Sequence, residues 1–349
     1  MTLEELGWSP FFADAFQPYR RQDTIPARVA ARHHGPCELL TELGPLGGVP
    51  SGRLDEAELP AVGDWVVARP LDGERKALIE AVLPRRSAFT RKEAWERTVE
   101  QVVAANVDIV FVVSAFGHDL NPRRMERYLI GAWESGAKPV IVLNKADLSD
   151  DPAAEAAPIE AVAFGVPVHA VSATTGDGLD LLQRYVVPGS TAALLGSSGV
   201  GKSTLVNRLA GERVMKVRDL RQDGRGRHTT THRELVPLSG GGLLLDTPGM
   251  RELQLWAGEE ALDSTFEDVV RLFRHCRFND CAHEREPGCA VQAALRDGTL
   301  QQERYDSWRK LQRELRWLEV RRNARLRAEA RKEIRRFSRD VKNRKKVRY

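Results

Sequence analysis

Eight consecutive residues, Gly196-Ser197-Ser198-Gly199-Val200-Gly201-Lys202-Ser203, fit the spacing G-x-x-x-x-G-K-[ST]. Glycines so placed let backbone N–H groups turn inward around phosphate oxygens, and a helix that follows adds its positive N-terminal end. The flanks agree with the motif: an apolar run, Thr191 to Gly196, leads into it, and a helix-forming stretch, Thr204 to Ala210, leads out. In this reading Gly196 through Gly201, together with Thr204, cradle the phosphates of a nucleotide. Lys202 reaches the β- and γ-phosphates, where it serves both binding and catalysis, and the Ser203 hydroxyl ligates Mg²⁺. A glycine-rich turn with no ligand would need neither the lysine nor the flanking strand and helix.

A second element decides which nucleotide. Asn144-Lys145-Ala146-Asp147 closes another apolar run. A carboxylate such as Asp147 accepts two hydrogen bonds from the N1–H and 2-amino groups of guanine, donors that adenine lacks in that arrangement. A site built around that acceptor rejects the wrong base by orders of magnitude. GTP is therefore the expected substrate, against the alternative of a kinase using ATP. Ser172-Ala173 closes a third run and is placed to support the base from its other side, although two residues alone are a chance match. Asp246-Thr247-Pro248-Gly249 follows Leu243 to Leu245. A D-x-x-G element there puts Asp246 in the outer shell of Mg²⁺ and Gly249 near the γ-phosphate.

The chain order is base-reading turn, Ser-Ala, phosphate loop, threonine-rich loop, D-x-x-G, whereas the usual GTPase starts with the phosphate loop. Cutting a doubly wound sheet in one surface loop and joining its old ends leaves every strand neighbour in place, so all five elements can still meet. A circularly permuted GTPase domain is the expectation.

Cys276-x₄-Cys281-x-His283-x₅-Cys289 offers three thiolates and one imidazole within a short segment. Cys₃His is a closed tetrahedral set suited to one structural Zn²⁺, with no position left for a reacting water. Free thiols are the alternative. Cys37 stands apart and reads as a core residue, and His232 and His275 receive no metal role.

These residues need a multidomain frame, and 349 residues with 42% hydrophobic content allow two or three domains. Residues 1–20 carry Leu3, Leu6, Trp8, Phe11, Phe12 and Phe16, an N-terminal arm that must pack on something. Across 21–88, strand-like runs (Ala27 to Ala31, Cys37 to Leu43, Trp65 to Ala68, Ala77 to Leu83) alternate with Gly and Pro clusters. They predict a β-barrel of roughly five strands, of the oligonucleotide-binding (OB) type, which periodicity alone does not separate from an SH3-like barrel. The charged stretch Arg85 to Glu100 reads as a link to the next domain. Residues 89–252 form the α/β, doubly wound GTPase domain. Its runs Asp108 to Ala115, Pro139 to Asn144, Pro167 to Ala173, Thr191 to Gly196 and Gly242 to Asp246 are nearly continuous in apolar character, as buried parallel strands require.

Residues 253–320 read as a helical zinc-binding domain in which Trp308, Leu311, Leu315 and Leu318 form one apolar face. The segment 321–349 reads as a basic helical tail or one that orders on binding: it alone carries +11, the whole chain +4, and the residues before it therefore −7. Such a density of charge seeks RNA or another polyphosphate. No apolar run reaches the length of a membrane span, and Glu4 and Glu5 oppose a signal peptide, so a soluble cytoplasmic protein is expected.

From barrel to tail these residues resemble the circularly permuted, small-subunit-dependent GTPases of the RsgA (YjeQ) family. The marks are NKAD at 144–147, GSSGVGKST at 196–204, GRHTTTHREL at 226–235, DTPGMREL at 246–253 and the cysteine–histidine spacing. The resemblance implies a protein that binds the maturing small ribosomal subunit and its 16S rRNA late in assembly; a monomer is expected. It would hydrolyse GTP slowly alone and faster on the subunit, and then leave. Arg218 to Thr231 stands where the first switch belongs, with Thr230, or Thr229 in its place, coordinating Mg²⁺ when the γ-phosphate is present. Met250 follows DTPG where other GTPases carry a water-positioning glutamine, so another group must orient the water. His228 is the candidate, contact with RNA or simple packing being its other use. An RNA-binding adaptor in which GTP turnover is incidental is the rival from a different class.

Overall fold

The computed structural model describes residues 1–32, 36–52, 54, 59–92, 100–117, 119–211, 234–238, 240–246 and 259–322. The chain divides into two units, Met1–Gln254 and Leu255–Tyr349. The first unit opens with a helix, α1 (Pro10–Phe16), and five strands: β1 (Ile25–Arg32), β2 (Cys37–Leu40), β3 (Leu46–Pro50), β4 (Trp65–Pro70) and β5 (Lys76–Val82). Their order is β1–β2–β3–β5–β4, and β4 returns to pair with β1, closing a barrel. The parallel β3–β5 pair within an otherwise antiparallel barrel is the OB arrangement, which strand spacing had left open.

Period-2 alternation divides the side chains. Ala27, Val29, Val66, Ala68, Ala77 and Ile79 fill the barrel with Cys37 and Leu39, while Ala30, Trp65 and Val67 face outward into a second cluster. The arm covers that outer face: Phe12 and Phe16 are buried there, and Trp8 meets Trp65 edge-on with centroids 4.7 Å apart. Strand β3 is absent from the runs read in the sequence. A Cβ at its Gly48 would lie 2.8 Å from the Leu39 side chain, so close approach demands glycine and erases the apolar signal.

The stretch read as a charged link holds a strand, β6 (Ala88–Lys92), which pairs antiparallel with β7 (Glu100–Ala105), a strand that starts at the last residue of that stretch. Phe89, Val103 and Ala104 reach the core, and the charged residues among them hide the alternation.

Six strands follow: β8 (Ile109–Ala115), β9 (Lys138–Asn144), β10 (Val168–Ala170), β11 (Thr191–Gly196), β12 (Glu234–Pro237) and β13 (Leu243–Asp246). Their spatial order is β10–β9–β8–β11–β13–β12, parallel except for β12, which runs antiparallel to β13. The phosphate-loop strand β11 thus lies between β8 and β13, the first and last of the six in sequence. That is the permuted arrangement. Helices α2 (Pro122–Glu134) and α3 (Pro152–Glu160) pack on one face through Met125, Leu129 and Ile159 against Val110, Val112 and Ile141. Helices α4 (Leu179–Gln183) and α5 (Lys202–Ala210) pack on the other, through Leu182, Leu205 and Val206 against Phe111, Val113 and Leu194.

Two features join barrel and GTPase sheet. Strand β12 pairs with β1, Ala31 standing opposite Glu234, so the two sheets are continuous. Arg28, fully buried, donates to the carbonyls of Leu6 and Asn106 and to Thr191 Oγ1, the last two at 3.1 and 2.8 Å. It therefore ties the arm, the barrel and the first residue of β11 together. Burial lowers its pKa to about 10, against the pull of Asp108, and the guanidinium stays charged at neutral pH.

The second unit holds α6 (Glu259–Thr265), α7 (Glu267–Phe273), α8 (Ala290–Asp297) and α9 (Gln302–Arg322). Trp308, Leu311 and Leu315 of α9 are buried, as their helical spacing requires. Arg304 is anchored by Asp268 at 2.8 and 3.0 Å and by the Thr265 carbonyl, with its guanidinium over the Phe266 ring. Among the described residues no helix is long and apolar enough to cross a membrane.

Candidate nucleotide site and metal centre

The loop from Gly196 to Ser203 joins the fully buried β11 to the N-terminus of α5. Gly201, the residue that precedes α5, has φ +94°, and a Cβ there would lie 2.3 Å from Asn144 Nδ2. Only glycine allows that approach. Lys202 Nζ donates to the Gly196 and Ser197 carbonyls at 2.8 and 2.6 Å, which holds the ammonium along the loop. Behind the loop, Tyr128 Oη lies 3.5 Å from Ser197 Oγ.

Asn144, buried at the end of β9, joins three of the elements picked out in the sequence. Its Nδ2 donates to the Val200 carbonyl of the phosphate loop at 2.8 Å, and its Oδ1 accepts from Ala173 N–H at 3.0 Å. Lys145 follows in left-handed conformation at φ +65°, and Asp147 sits in the short 3-10 turn Ala146–Leu148. Ser172 Oγ donates to the Asp147 carboxylate, while Ala146 N–H donates to the Val171 carbonyl at 3.0 Å. Asp147 itself is exposed. A carboxylate acceptor and an amide-lined loop are thus held by one short network, despite their reversed order in the chain. Arg208 in α5 also reaches the Ser172–Ala173 loop, donating from Nε to the Ala173 carbonyl at 3.0 Å and from Nη2 to that of Thr174.

In the second unit Cys276, Cys281, His283 and Cys289 bring their ligand atoms within 4.8 Å of one another. Cys276 Sγ and Cys289 Sγ lie 3.5 and 3.7 Å from His283 Nδ1 and 4.0 Å from each other. Tetrahedral bonds of about 2.3 Å to sulfur and about 2.0 Å to nitrogen place ligand atoms roughly 3.5 to 3.8 Å apart, so the set fits one metal ion. The shell around it is ordered. The His283 ring stacks on Phe273 at 4.2 Å, and its carbonyl accepts from Gln292 Nε2 at 2.8 Å. Cys289 precedes α8 and its Sγ accepts the Gln292 N–H. Burial lowers the pKa of the His283 imidazole, a shift toward the neutral ring that metal binding requires. Cys37 is buried in the barrel core.

The RsgA GTPase family model matches residues 82–256. A small ribosomal subunit biogenesis GTPase RsgA from Opitutus terrae is 51% identical over 329 residues, 90% of each chain. The protein of that name from Streptomyces coelicolor is 45% identical, over 96% of this chain and 92% of its own. This chain belongs to the RsgA GTPase family. Its fold likewise resembles YjeQ from Thermotoga maritima, with TM-score 0.65 and 28% identity over 84% of this chain and 98% of the other. YloQ, a circularly permuted GTPase, gives 0.62 and 26% over 85% and 96%.

RsgA membership makes the chain a GTP hydrolase, and the matched span takes in both the phosphate loop and the Asn144–Asp147 turn. Asp246 ends β13, where Leu245 stands beside Ala193 of β11. Gly249, His228, Thr229, Thr230, His232 and Met250 lie outside the described residues.

Proposed function

We propose that this RsgA-family chain binds and hydrolyses GTP between its phosphate loop and the Asn144–Asp147 turn, as a cytoplasmic, monomeric factor in late assembly of the small ribosomal subunit. The nucleotide half rests on the Asn144 amide, which bonds Val200 of one loop and Ala173 of the other. The ribosomal half draws support from relatives named for small-subunit biogenesis, and from the +11 charge of residues 321–349, suited to 16S rRNA.

In this reading Asp147 accepts from guanine N1–H and the 2-amino group, and Ser172 and Ala173 brace the base. Loop amides hold the phosphates, and the Lys202 ammonium neutralises charge that builds on the β- and γ-oxygens. Ser203, with Thr230 or Thr229, would hold Mg²⁺, which when bound adds its own charge at those oxygens. His228 orients the attacking water. Zn²⁺ at Cys276, Cys281, His283 and Cys289 would cross-link the segment between α7 and α8 and take no part in chemistry.

Single-turnover GTP hydrolysis with and without purified small subunits tests the reading. Subunits should accelerate the wild type, and Lys202→Ala should lose roughly 100-fold or more of the stimulated rate, the scale of removing one transition-state donor. Equal hydrolysis with and without subunits, alongside tight subunit binding, would favour the adaptor instead.

A further inference from the structure

Helix α5 starts in the phosphate loop, and its last turn reaches the loop that supports the base. We infer that Arg208 is a positioning residue that fixes the base-side loop against the phosphate helix. It thereby sets how long a guanine nucleotide stays bound and how sharply its 2-amino group is read. The inference rests on the nucleotide site proposed above.

The Ala173 peptide groups are held from two directions. Its N–H goes to Asn144 Oδ1 at the end of β9, and its C=O goes to Arg208 Nε on α5. Arg208 Nη2 takes the next carbonyl, that of Thr174, so one planar guanidinium spans two consecutive peptide groups. The neighbouring bonds run within the loop: Ser172 N–H to the Asp177 carbonyl at 2.9 Å, Gly176 N–H to the Ser172 carbonyl at 2.8 Å, and Thr175 N–H to Ser172 Oγ at 3.1 Å. That same Ser172 Oγ donates to Asp147. A displacement of residues 172–177 therefore moves the group that fixes the Asp147 carboxylate. Asn144 and Arg208 act as two struts between the phosphate side and the base side, one at each end of α5.

The alternative is an ordinary solvated arginine, since the Arg208 side chain is exposed. A cation in the last turn of a helix is also favourable on its own account. Exposure has a useful consequence, because truncating the side chain opens no cavity and leaves the fold intact. A solvated arginine would leave base recognition untouched; a strut would not.

The test compares wild type, Arg208→Lys and Arg208→Ala in the full chain, by stopped-flow release of fluorescent GDP and by competition with inosine diphosphate, which lacks the 2-amino group. Arg208→Ala should release GDP roughly tenfold faster, the scale of a lost hydrogen bond with a charged donor. Its preference for GDP over inosine diphosphate should narrow, while the melting temperature without nucleotide stays at the wild-type value. Arg208→Lys, with one donor atom for two carbonyls, should fall between. If the wild type prefers GDP and Arg208→Ala matches it in release and preference, the strut is refuted and the site reading stands. Faster release with an unchanged preference also overturns the claim that Arg208 positions the base side. A wild type indifferent to the 2-amino group would sink the site reading, and the strut with it.

Discussion

Asp147→Asn is expected to weaken GTP binding by about 10²- to 10⁴-fold and to shift preference toward xanthosine triphosphate. Hydrogen bonds to a charged group contribute about 1.5 to 3 kcal/mol each, and two are lost together. Asparagine puts an NH₂ donor where guanine also presents a donor, so a favourable pair becomes a clash of like groups. Xanthine carries a carbonyl at the 2-position and accepts what asparagine offers. The turn itself should survive, because Ala146 is held by the Val171 carbonyl and Ser172 can still donate to the asparagine oxygen. Competition of GTP, ATP and xanthosine triphosphate against a labelled nucleotide checks this, and GTP affinity unchanged in Asp147→Asn would remove Asp147 from base recognition.

Stripping metal from the second unit should have a larger effect still, on folding. The candidate ligands Cys276, Cys281, His283 and Cys289 span the connection between the end of α7 at Phe273 and the start of α8 at Ala290. Short helices without a cross-link are marginal in water, whereas a structural zinc site supplies about 10 to 16 kcal/mol of apparent binding energy. A strong chelator, or Cys289→Ala, should therefore lower helical circular dichroism and expose the 276–289 segment to protease, with one zinc per chain released from the untreated protein. Unchanged helicity and protease resistance after verified removal of all metal would show that packing of α9 on its neighbours suffices.

How far the sequence discloses this arrangement depends on where each signal resides. Strands β8, β9 and β11 are buried on both faces, and the sequence marks them as continuous apolar runs. The phosphate loop and the cysteine–histidine set are legible because their chemistry fixes residue types at short spacings. β3 is hidden, since Gly48 must yield space to Leu39, and the β6–β7 hairpin is hidden by charges. The arm announces its need for a partner through its aromatic residues, but not that Trp65 on the outer face of the barrel is the partner. Arg208 is beyond sequence reasoning for a different reason. It bonds backbone carbonyls, which every residue has, in a loop that lies far from it in the chain. Asn144 illustrates the mixed case: the motif marks it, but its grip on both Val200 and Ala173 emerges only from the fold.

For the proposed chemistry, one guanine nucleotide must span the phosphate loop and Asp147. The most direct measurement is a crystal structure of the full chain grown with GDP and Mg²⁺. The prediction is a β-phosphate within about 3 Å of the loop amides and guanine N1 and its 2-amino nitrogen at similar distance from the Asp147 carboxylate. A phosphate held by the loop with its base turned away from Asp147, or a nucleotide seated elsewhere, would contradict it.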